Sequence, residues 1–409
     1  MKSIRINNNT AKKRLGFLFG AGVSIPAGMP STKSITDKVL SGDGIMRHSD
    51  GCFYFGEPLY GHMGFPDEYV PRITAFLDRI KSEIELYYLK YPFKIEFNYE
   101  DYYYLASQIF DAEIGEYDNP AILPLIEKIK PDLEHLLIGK GHEVRKKWKL
   151  YQLIDEAKNY IKDIIWRMLN ISPNSLDYLS ILKDCHQDDD ISSLDVFTLN
   201  HDRVLEKYFS ANSLDYDSGF IRKMDNLMVW EPSLLESGRC KIRLFKLHGS
   251  IDWFRFRPDG FDWSEEIIGI PQGLTNYHMK DWAGRVLHAL DHRPLFLVGT
   301  YNKILDYVGG IYDDLFYHFY KSLRDINDLV VCGYSFGDRG INTKVIEWIY
   351  LSNAHRIIVI HPNPNNLKEN SFGSIGNKWD AWIKDRKLFV IPNKIEDTSW
   401  DQIREIVCQ

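Results

Sequence analysis

Residues 15–24 read Leu-Gly-Phe-Leu-Phe-Gly-Ala-Gly-Val-Ser, an apolar run that passes directly into Gly20 and Gly22. A short apolar run of this kind favours a strand buried on both faces, as in a parallel sheet covered by helices. Glycines let a phosphate group approach the backbone, and a helix that follows offers free N–H groups and the positive end of its dipole. The stretch therefore predicts a phosphate-holding loop at the carboxyl end of a strand.

Six further aliphatic runs are each followed by small or polar residues. They are residues 194–197, 242–247, 295–298, 329–332, 357–360 and 388–391. In an open α/β sheet, ligands bind beyond the carboxyl ends of the strands, where these small and polar residues would meet. The sequence therefore predicts an α/β fold with a Rossmann-like parallel sheet covered by helices.

Residues 66–190 differ in character from the rest of the chain. Apolar and aromatic residues recur there at helical spacing, in stretches 67–91, 98–110 and 150–169. We expect these stretches to form a helical insertion, or second subdomain, between the first two strands of the sheet. Residues 1–65 and 191–409 would then form the α/β domain.

Three stretches leave two interpretations open. The aromatic segment 252–292 is either a lid over the site or a packed loop without a chemical role. Residues 300–303 either line the site or start a helix. The Tyr- and Leu-rich surface of the insertion is either an assembly surface or ordinary packing within the domain.

Composition narrows the classes of function. The 409 residues carry a net charge of −7, with 50 Lys and Arg against 57 Asp and Glu. Nucleic-acid binders usually have a basic excess, so we expect no direct sequence-specific nucleic-acid partner. No apolar run approaches the roughly 20 residues that span a bilayer, and the N-terminus has no signal segment. We therefore expect a cytoplasmic protein with no membrane partner.

The five cysteines are spaced too irregularly for a zinc ribbon. They are Cys52, Cys185, Cys240, Cys332 and Cys408, and no two of them form a C-x-x-C pair. Such a pair is the usual unit of a structural zinc site, and an odd number of scattered cysteines suits reduced thiols. We expect no bound metal.

Five ordered motifs resemble those of the sirtuin (silent information regulator 2) family. Residues 20–31 follow its opening pattern G-A-G-x-S-x-x-A-G-x-P-S, although Ile25 occupies the place of the third glycine in the usual dinucleotide fingerprint. Four later segments match the family in the same order. They are residues 198–202, 246–250, 333–338 and 358–363. The helical insertion aligns with nothing in the family.

The resemblance implies an NAD+ site at these strand ends. Its candidate NAD+-binding residues are Gly20, Ala21, Gly22, Ser24, Thr198, Gly333, Ser335 and Asn363. Its candidate catalytic residues are Asn200, His248 and Asp202, with His201 a bystander. The Asn200 amide can donate and accept hydrogen bonds, which suits holding ribose hydroxyls and a water molecule. His248 has an ordinary pKa near neutrality, which suits a general base. Asp202 could orient a neighbour or stabilise positive charge.

Two departures from the family pattern disfavour protein deacylation. The four-cysteine zinc module is missing, and Pro30 is followed by Ser31-Thr32-Lys33 where deacylases continue with Asp-Phe-Arg. What remains resembles bacterial sirtuin-like effectors of antiphage defence, which implies an NAD+ glycohydrolase that depletes NAD+. Such an enzyme needs a gate, so the resemblance also implies a homo-oligomer or a partner such as a HerA-type ATPase or a short Argonaute.

Two alternatives to the NAD+ glycohydrolase remain open. One is a regulatory module that binds NAD+ or ADP-ribose without cleaving it. The other is a reduced sirtuin-type deacylase or ADP-ribosyltransferase, in which an acyl-lysine or another acceptor replaces water.

Overall fold

A computed structural model describes residues 12–55, 64–65, 69–90, 97–116, 119–138, 147–224, 226–258, 266–272, 279–280, 284–300 and 303–409. Its strands are β1 (Lys13–Phe19), β2 (Ile45–His48), β3 (Phe53–Phe55), β4 (Gly64–Phe65), β5 (Ile191–Thr198), β6 (Tyr216–Asp217), β7 (Phe220–Met224), β8 (Leu227–Trp230), β9 (Ile242–Lys246), β10 (Phe254–Pro258), β11 (Ile267–Pro271), β12 (Met279–Lys280), β13 (Val286–Ala289), β14 (Asp328–Cys332), β15 (Arg356–Ile360) and β16 (Leu388–Ile391).

The α-helices are α1 (Thr32–Ser41), α2 (Val70–Tyr88), α3 (Tyr99–Ile114), α4 (Leu123–Leu133), α5 (Leu150–Leu169), α6 (Ser180–Gln187), α7 (Val204–Ala211), α8 (Lys303–Asp306), α9 (Gly310–Asp325), α10 (Arg339–Leu351), α11 (Pro364–Asn370), α12 (Gly373–Gly376), α13 (Trp379–Lys384) and α14 (Trp400–Val407). Short 3-10 helices cover Ala21–Val23, Pro120–Ile122, Glu134–Leu137, Asp177–Leu179, Pro232–Glu236 and Ile395–Asp397.

The main sheet has seven strands in the order β16-β15-β14-β1-β5-β9-β6, and all its neighbours are parallel. Its strands are buried on both faces. Leu18, Leu329 and Val331 point into one core, whereas Phe17, Val330 and Cys332 point into the other. Both faces of these strands are therefore apolar, which is why the runs do not alternate with polar residues. The predicted Rossmann-like α/β fold is confirmed.

One predicted strand is wrong. Residues 295–298 form no strand of the main sheet, and Phe296 makes only an isolated antiparallel bridge to Gly249. The backbone of this run bonds instead to the turn after β9, since Leu297 N donates to His248 O (2.9 Å) and Ser250 N donates to Leu295 O (3.1 Å). The run is apolar because its side chains are buried against the cores, not because it belongs to the sheet.

The predicted helices of the insertion are present as α2, α3 and α5, and α5 has the predicted bounds. These helices share a core with α4. Ile35, Val39, Ile45 and Phe53, which precede residue 66, pack into the same core. Asn98 and Asp101 form a reciprocal capping box that fixes the start of α3. The cap determines where the first turn of α3 meets the α/β domain.

The aromatic segment 252–292 contains strands of a second, antiparallel sheet. Its order is β12-β13-β10-β11-β8-β7. Phe254 and Phe256 lie in a small core of this sheet, and the Trp253 ring lies 5.0 Å from that of Phe220. These residues pack within the fold, whereas Phe261 and Trp263 lie outside the described residues. Among the described residues, no helix is both long and apolar enough to cross a membrane.

Candidate functional site

The strand order places three of the predicted motifs side by side. Because β1 lies between β14 and β5, the loop of residues 20–24, here called the cradle loop, lies between the ends of those two strands. Gly20 N donates to Cys332 O (3.1 Å) and Gly22 N donates to Gly333 O (3.0 Å). On the other side, Leu199 N donates to Phe19 O (2.9 Å).

Close approach of two backbones explains the glycines of these loops. A Cβ on Gly20 would lie 2.5 Å from Gly333 O, and one on Gly22 would lie 2.8 Å from the Cα of Gly333. Gly333 has φ +64°, a left-handed conformation that glycine adopts without strain. The sequence interpretation gives these glycines a role in ligand binding. The packing of the cradle loop against the turn at Gly333 already requires residues without a side chain at these positions.

The backbone N–H groups of the cradle loop are largely engaged within the protein. Besides the two bonds to the β14 end, Val23 N donates to Gly20 O (3.0 Å) and Ser24 N donates to Ala21 O (3.1 Å). Anion binding by such a loop uses free N–H groups. In this conformation the loop offers few of them to a pyrophosphate.

Asn200 joins the cradle loop to the end of β5. Its Nδ2 donates to Ser24 Oγ (2.9 Å) and to Gly20 O (3.1 Å). Its backbone N donates to Thr198 Oγ1 (3.1 Å). Ser24 is 3% exposed and Thr198 is 2% exposed, whereas Asn200 is partly exposed. The structure therefore brings four of the predicted site residues, Gly20, Ser24, Thr198 and Asn200, into one hydrogen-bonded group.

Asp202 is engaged in local structure. Its Oδ1 accepts from Val204 N (2.9 Å), the first residue of α7, and its carbonyl accepts from Lys246 Nζ. The same ammonium lies 2.7 Å from Glu206 Oε1 and is buried. The Lys246–Glu206 pair thus attaches α7, and with it the segment that contains Asn200, to the end of β9.

His248 follows β9 and is 4% exposed. Its Nε2 lies 2.7 Å from Tyr307 Oη and 3.2 Å from Asp338 Oδ2. Burial lowers the pKa of His248, and the charge of Lys303 lowers it further, while the hydrogen bond and charge of Asp338 oppose both. The net shift is downward, so the imidazole is neutral at neutral pH and can accept a proton.

Asp338 and Tyr307 complete a buried triangle with His248. Tyr307 Oη donates to Asp338 Oδ2 (2.8 Å). Burial alone would raise the pKa of Asp338, but the hydrogen bond from His248, the positive charge that His248 gains once it is protonated in acid, and the charge of Lys303 bring it well below its ordinary value. Burial and the neighbouring Asp338 raise the pKa of Tyr307 far above its ordinary value. The triangle thus holds an ionised carboxylate and a protonated phenol.

Sequence reasoning assigns no role to either partner of His248. Asp338 lies in the motif of residues 333–338, and the only local signal it gives is that of a helix cap, since its Oδ1 accepts from Ile341 N (2.9 Å) in the first turn of α10. Tyr307 belongs to no motif. Only the fold brings the three side chains together.

The helical insertion reaches the site through an ion pair. Lys303 Nζ lies 2.9 Å from both carboxylate oxygens of Glu100, which is in the first turn of α3. The Lys303 side chain is 6% exposed. Of the two interpretations of residues 300–303, the helix start holds for Lys303, which begins α8. Tyr301 and Asn302 lie outside the described residues.

His201, a bystander in the sequence interpretation, is buried beside His248. Its ring lies 6.2 Å from that of His248 and 4.8 Å from that of Phe296. Burial, with the charges around it, brings the pKa of His201 far below its ordinary value. The two histidines thus form a neutral, buried pair behind Asn200.

Ser335 and Asn363 are exposed, in contrast to the residues above. Ser335 follows β14 and Asn363 follows the neighbouring β15, so both lie at the predicted edge of the sheet. Asn363 Oδ1 accepts from Asn366 N (3.1 Å) and caps α11. In this structure the Asn363 side chain therefore acts as the N-cap of α11.

The cysteines are free and dispersed. Cys52, Cys185 and Cys332 are buried, Cys240 is half-buried and Cys408 is exposed. Within the described ranges, no group of three or more His, Cys, Asp or Glu side chains is arranged to hold a metal ion.

Comparison with known proteins gives a domain match. Residues 195–381 match the family model of the SIR2-like domain, a span that includes the Asn200, His248, Ser335 and Asn363 segments but begins after the cradle loop. This match supports the sirtuin-like resemblance of the four later motifs and does not extend to the first, at residues 20–31. No curated protein matches the sequence.

Two Sir2 homologues are among the solved structures that align with this chain. A Sir2 homologue in complex with NAD is 13% identical, with 97% of this chain and 91% of that chain covered and a TM-score of 0.35. A Sir2 homologue mutant in complex with ADP-ribose is also 13% identical, with 97% and 93% covered and a TM-score of 0.32.

Proposed function

We propose that the chain, whose residues 195–381 match the SIR2-like domain, is an NAD+ glycohydrolase. The observation that carries the proposal is the meeting of two groups at one edge of the sheet. One is Asn200, bonded to Ser24 at 2.9 Å, and the other is His248, neutral and held against Asp338. An amide that can hold ribose hydroxyls and a buried base are the two parts that this cleavage needs.

The reaction divides between these residues. The bond between ribose C1′ and the nicotinamide nitrogen breaks, its electron pair leaves with nicotinamide, and C1′ develops oxocarbenium character. Water forms the new bond to C1′ and gives up a proton, so that ADP-ribose results. Asn200 orients the ribose and the water, and His248 takes the proton. Gly20, Ala21, Gly22, Ser24, Thr198, Gly333, Ser335 and Asn363 are the proposed contacts to the rest of NAD+.

The burial of the site supports a gated enzyme. Ser24, Thr198 and His248 are 2–4% exposed, and the cradle loop uses its N–H groups internally. NAD+ contact with these groups requires the loops around them to move. We therefore propose that assembly opens the site, either as a homo-oligomer or with a partner such as a HerA-type ATPase or a short Argonaute. NAD+ depletion in antiphage defence is the role that fits such control.

The direct test incubates the purified chain with NAD+, alone and with each candidate partner, and measures nicotinamide by chromatography. Asn200→Ala and His248→Gln should each abolish release. Asn212→Ala and His355→Gln are matched controls, because Asn212 is the C-cap of α7 and His355 stacks on Trp348, away from the site. Both controls should keep the wild-type rate. Failure to release nicotinamide under every condition would refute the proposal.

Two other outcomes would assign a different function. Calorimetric NAD+ binding with the ligand recovered intact would indicate a regulatory binding module. Formation of acyl-ADP-ribose from an acylated peptide, or label from NAD+ on a protein, would indicate a reduced sirtuin-type transferase.

A further inference from the structure

The proton arrangement within the triangle of His248, Tyr307 and Asp338 follows from the contacts. Asp338 is ionised, and an ionised carboxylate only accepts hydrogen bonds. Tyr307 has one proton and donates it to Asp338 Oδ2. Its oxygen, 2.7 Å from His248 Nε2, can then only accept. His248 therefore carries its single proton on Nε2, and the lone pair is on Nδ1.

Asp338 is itself held rigidly. Its Oδ1 accepts from Ile341 N (2.9 Å), which leaves Oδ2 for the triangle. Its backbone N lies 3.1 Å from Tyr334 Oη, and Tyr334 Oη donates to Asn342 Oδ1 (2.9 Å). Asn342 Nδ2 in turn donates to Phe336 O (2.8 Å). A buried network thus fixes the carboxylate that faces His248.

We propose that Asp338 is the positioning residue for His248: it fixes the imidazole and its tautomer, and makes Nδ1 the nitrogen that takes the proton from the attacking water. This inference rests on the proposed function. Asp338 acts only through His248, much as a buried carboxylate orients the histidine of a hydrolase triad. The other charged or titratable groups that act on this imidazole are Tyr307, Lys303, Glu100 and His201.

Asp338→Asn is the decisive variant. The asparagine side chain still caps α10 and has nearly the same volume, so the fold should be retained. It replaces the acceptor facing Nε2 by an N–H donor or a neutral oxygen, which removes the preference for a proton on Nε2. We expect kcat for nicotinamide release to fall about 10³- to 10⁴-fold with little change in KM, as the loss of a triad carboxylate causes. Wild-type kcat in this variant would overturn the proposal.

The pH profile separates positioning from a structural role. Asp338 raises the pKa of His248, so Asp338→Asn should lower that pKa and move the acid limb of the kcat profile to lower pH. A variant that merely loses stability would lower the amount of active enzyme without moving the limb. Gln402→Ala, which removes the side-chain oxygen that accepts from Ser399 N (3.0 Å) at the start of α14, is the control for that effect.

A second measurement does not depend on activity. Hydrogen–deuterium exchange at the imidazole C2 carbon, followed by mass spectrometry between about pH 5 and pH 8, gives the pKa of individual histidines. The pKa of His248 should be lower in Asp338→Asn than in the wild type, and that of His186, in α6, should not change. An unchanged His248 pKa would overturn the inference. If the wild type releases no nicotinamide, the proposed function fails, and this exchange measurement still tests whether Asp338 acts on His248.

Discussion

The two sides of the candidate site are built in different ways. On the cradle side, the loop of residues 20–24 meets Cys332 and Gly333, at the end of β14, through backbone hydrogen bonds of 3.0–3.1 Å, and β1 and β14 are neighbours in the sheet. On the histidine side, His248 is held by the side chains of Tyr307 and Asp338, and Lys303 nearby is held by Glu100 of the insertion. The first side is part of the sheet, whereas the second depends on contacts between separate elements.

The difference indicates which side can open. Separating the cradle loop from Gly333 breaks main-chain bonds and disturbs the ends of β1 and β14. Releasing Tyr307 or Lys303 breaks side-chain contacts and leaves the sheet hydrogen bonds intact. A signal that moves the insertion would act on the histidine side through Glu100. The following variants test this contrast.

The largest loss of stability should come from Gly333→Ala on the cradle side. The new Cβ would meet the backbone of Gly22 and Val23, and residue 333 would have to keep a left-handed conformation. Backbone strain and overpacking together should therefore lower the free energy of unfolding by about 3 kcal/mol or more. Gly238→Ala is the matched control, because Gly238 has φ +64° but a Cβ added there would meet nothing within 4 Å. It should cost about 1 kcal/mol. Equal losses in denaturant unfolding would contradict the backbone contact.

Breaking the Glu100–Lys303 pair should have the next largest effect. Glu100→Gln leaves the buried ammonium without its charged partner and should lower the free energy of unfolding by about 2 kcal/mol. This loss is smaller than that expected for a fully buried pair, because the Glu100 side chain is 24% exposed. The double variant with Lys303→Met should regain most of that loss. In the exposed pair Lys368–Asp380, the corresponding Asp380→Asn should cost under about 0.5 kcal/mol. Additive losses at Glu100 and Lys303 would show that the pair does not join the insertion to the site.

Tyr307→Phe should cost about 1.5 kcal/mol, because it removes a buried hydrogen bond to an ionised carboxylate. Tyr312→Phe is the matched control, since the buried Tyr312 hydroxyl has no hydrogen-bond partner among the described residues. That control should leave the free energy of unfolding unchanged within error. Equal losses in thermal unfolding of the two variants would mean that the hydroxyl contacts of Tyr307 contribute nothing.

The smallest effect is a pH dependence confined to the histidine side. His201 and His248 have folded pKa values below their ordinary value, so the unfolded chain binds more protons below about pH 6.5. The stability from keeping them neutral is present above that pH and is lost as the pH falls. The melting temperature should therefore decrease between pH 7 and about pH 5.5, and less so in the His201→Gln, His248→Gln double variant. An identical decrease would assign the effect to other groups, such as His186 and His318.

The sheet was predictable because burial on both faces leaves a signal within each strand. Six of the seven apolar runs are strands of the parallel sheet. The seventh, 295–298, has the same composition, but its backbone partners are in the turn after β9, and composition carries no information on partners. The antiparallel sheet was missed because Gly, Pro and Asp interrupt its short strands.

The site was predictable only where a motif is contiguous. Asn200 and His248 stand in recognisable segments, and the structure gives each of them buried or partly buried polar partners. Tyr307 and Glu100 are far from these segments in sequence, so nothing local connects them to His248. The approach of a phosphate to Gly20 and Gly22 stays a prediction, and the group that approaches them in this structure is the backbone of Gly333.

The central position of β1 has a consequence for biosynthesis. This strand is made first, yet its neighbours are late in the chain, since Leu15 pairs with Leu194 on one side and with Asp328 on the other. Pairings so distant in sequence close slowly. During synthesis, β1 and the glycines after it therefore lack their partner strands, and stay exposed or loosely covered, until most of the chain has emerged. A shortened chain ending before β14 would leave one edge of β1 uncovered and prone to aggregate.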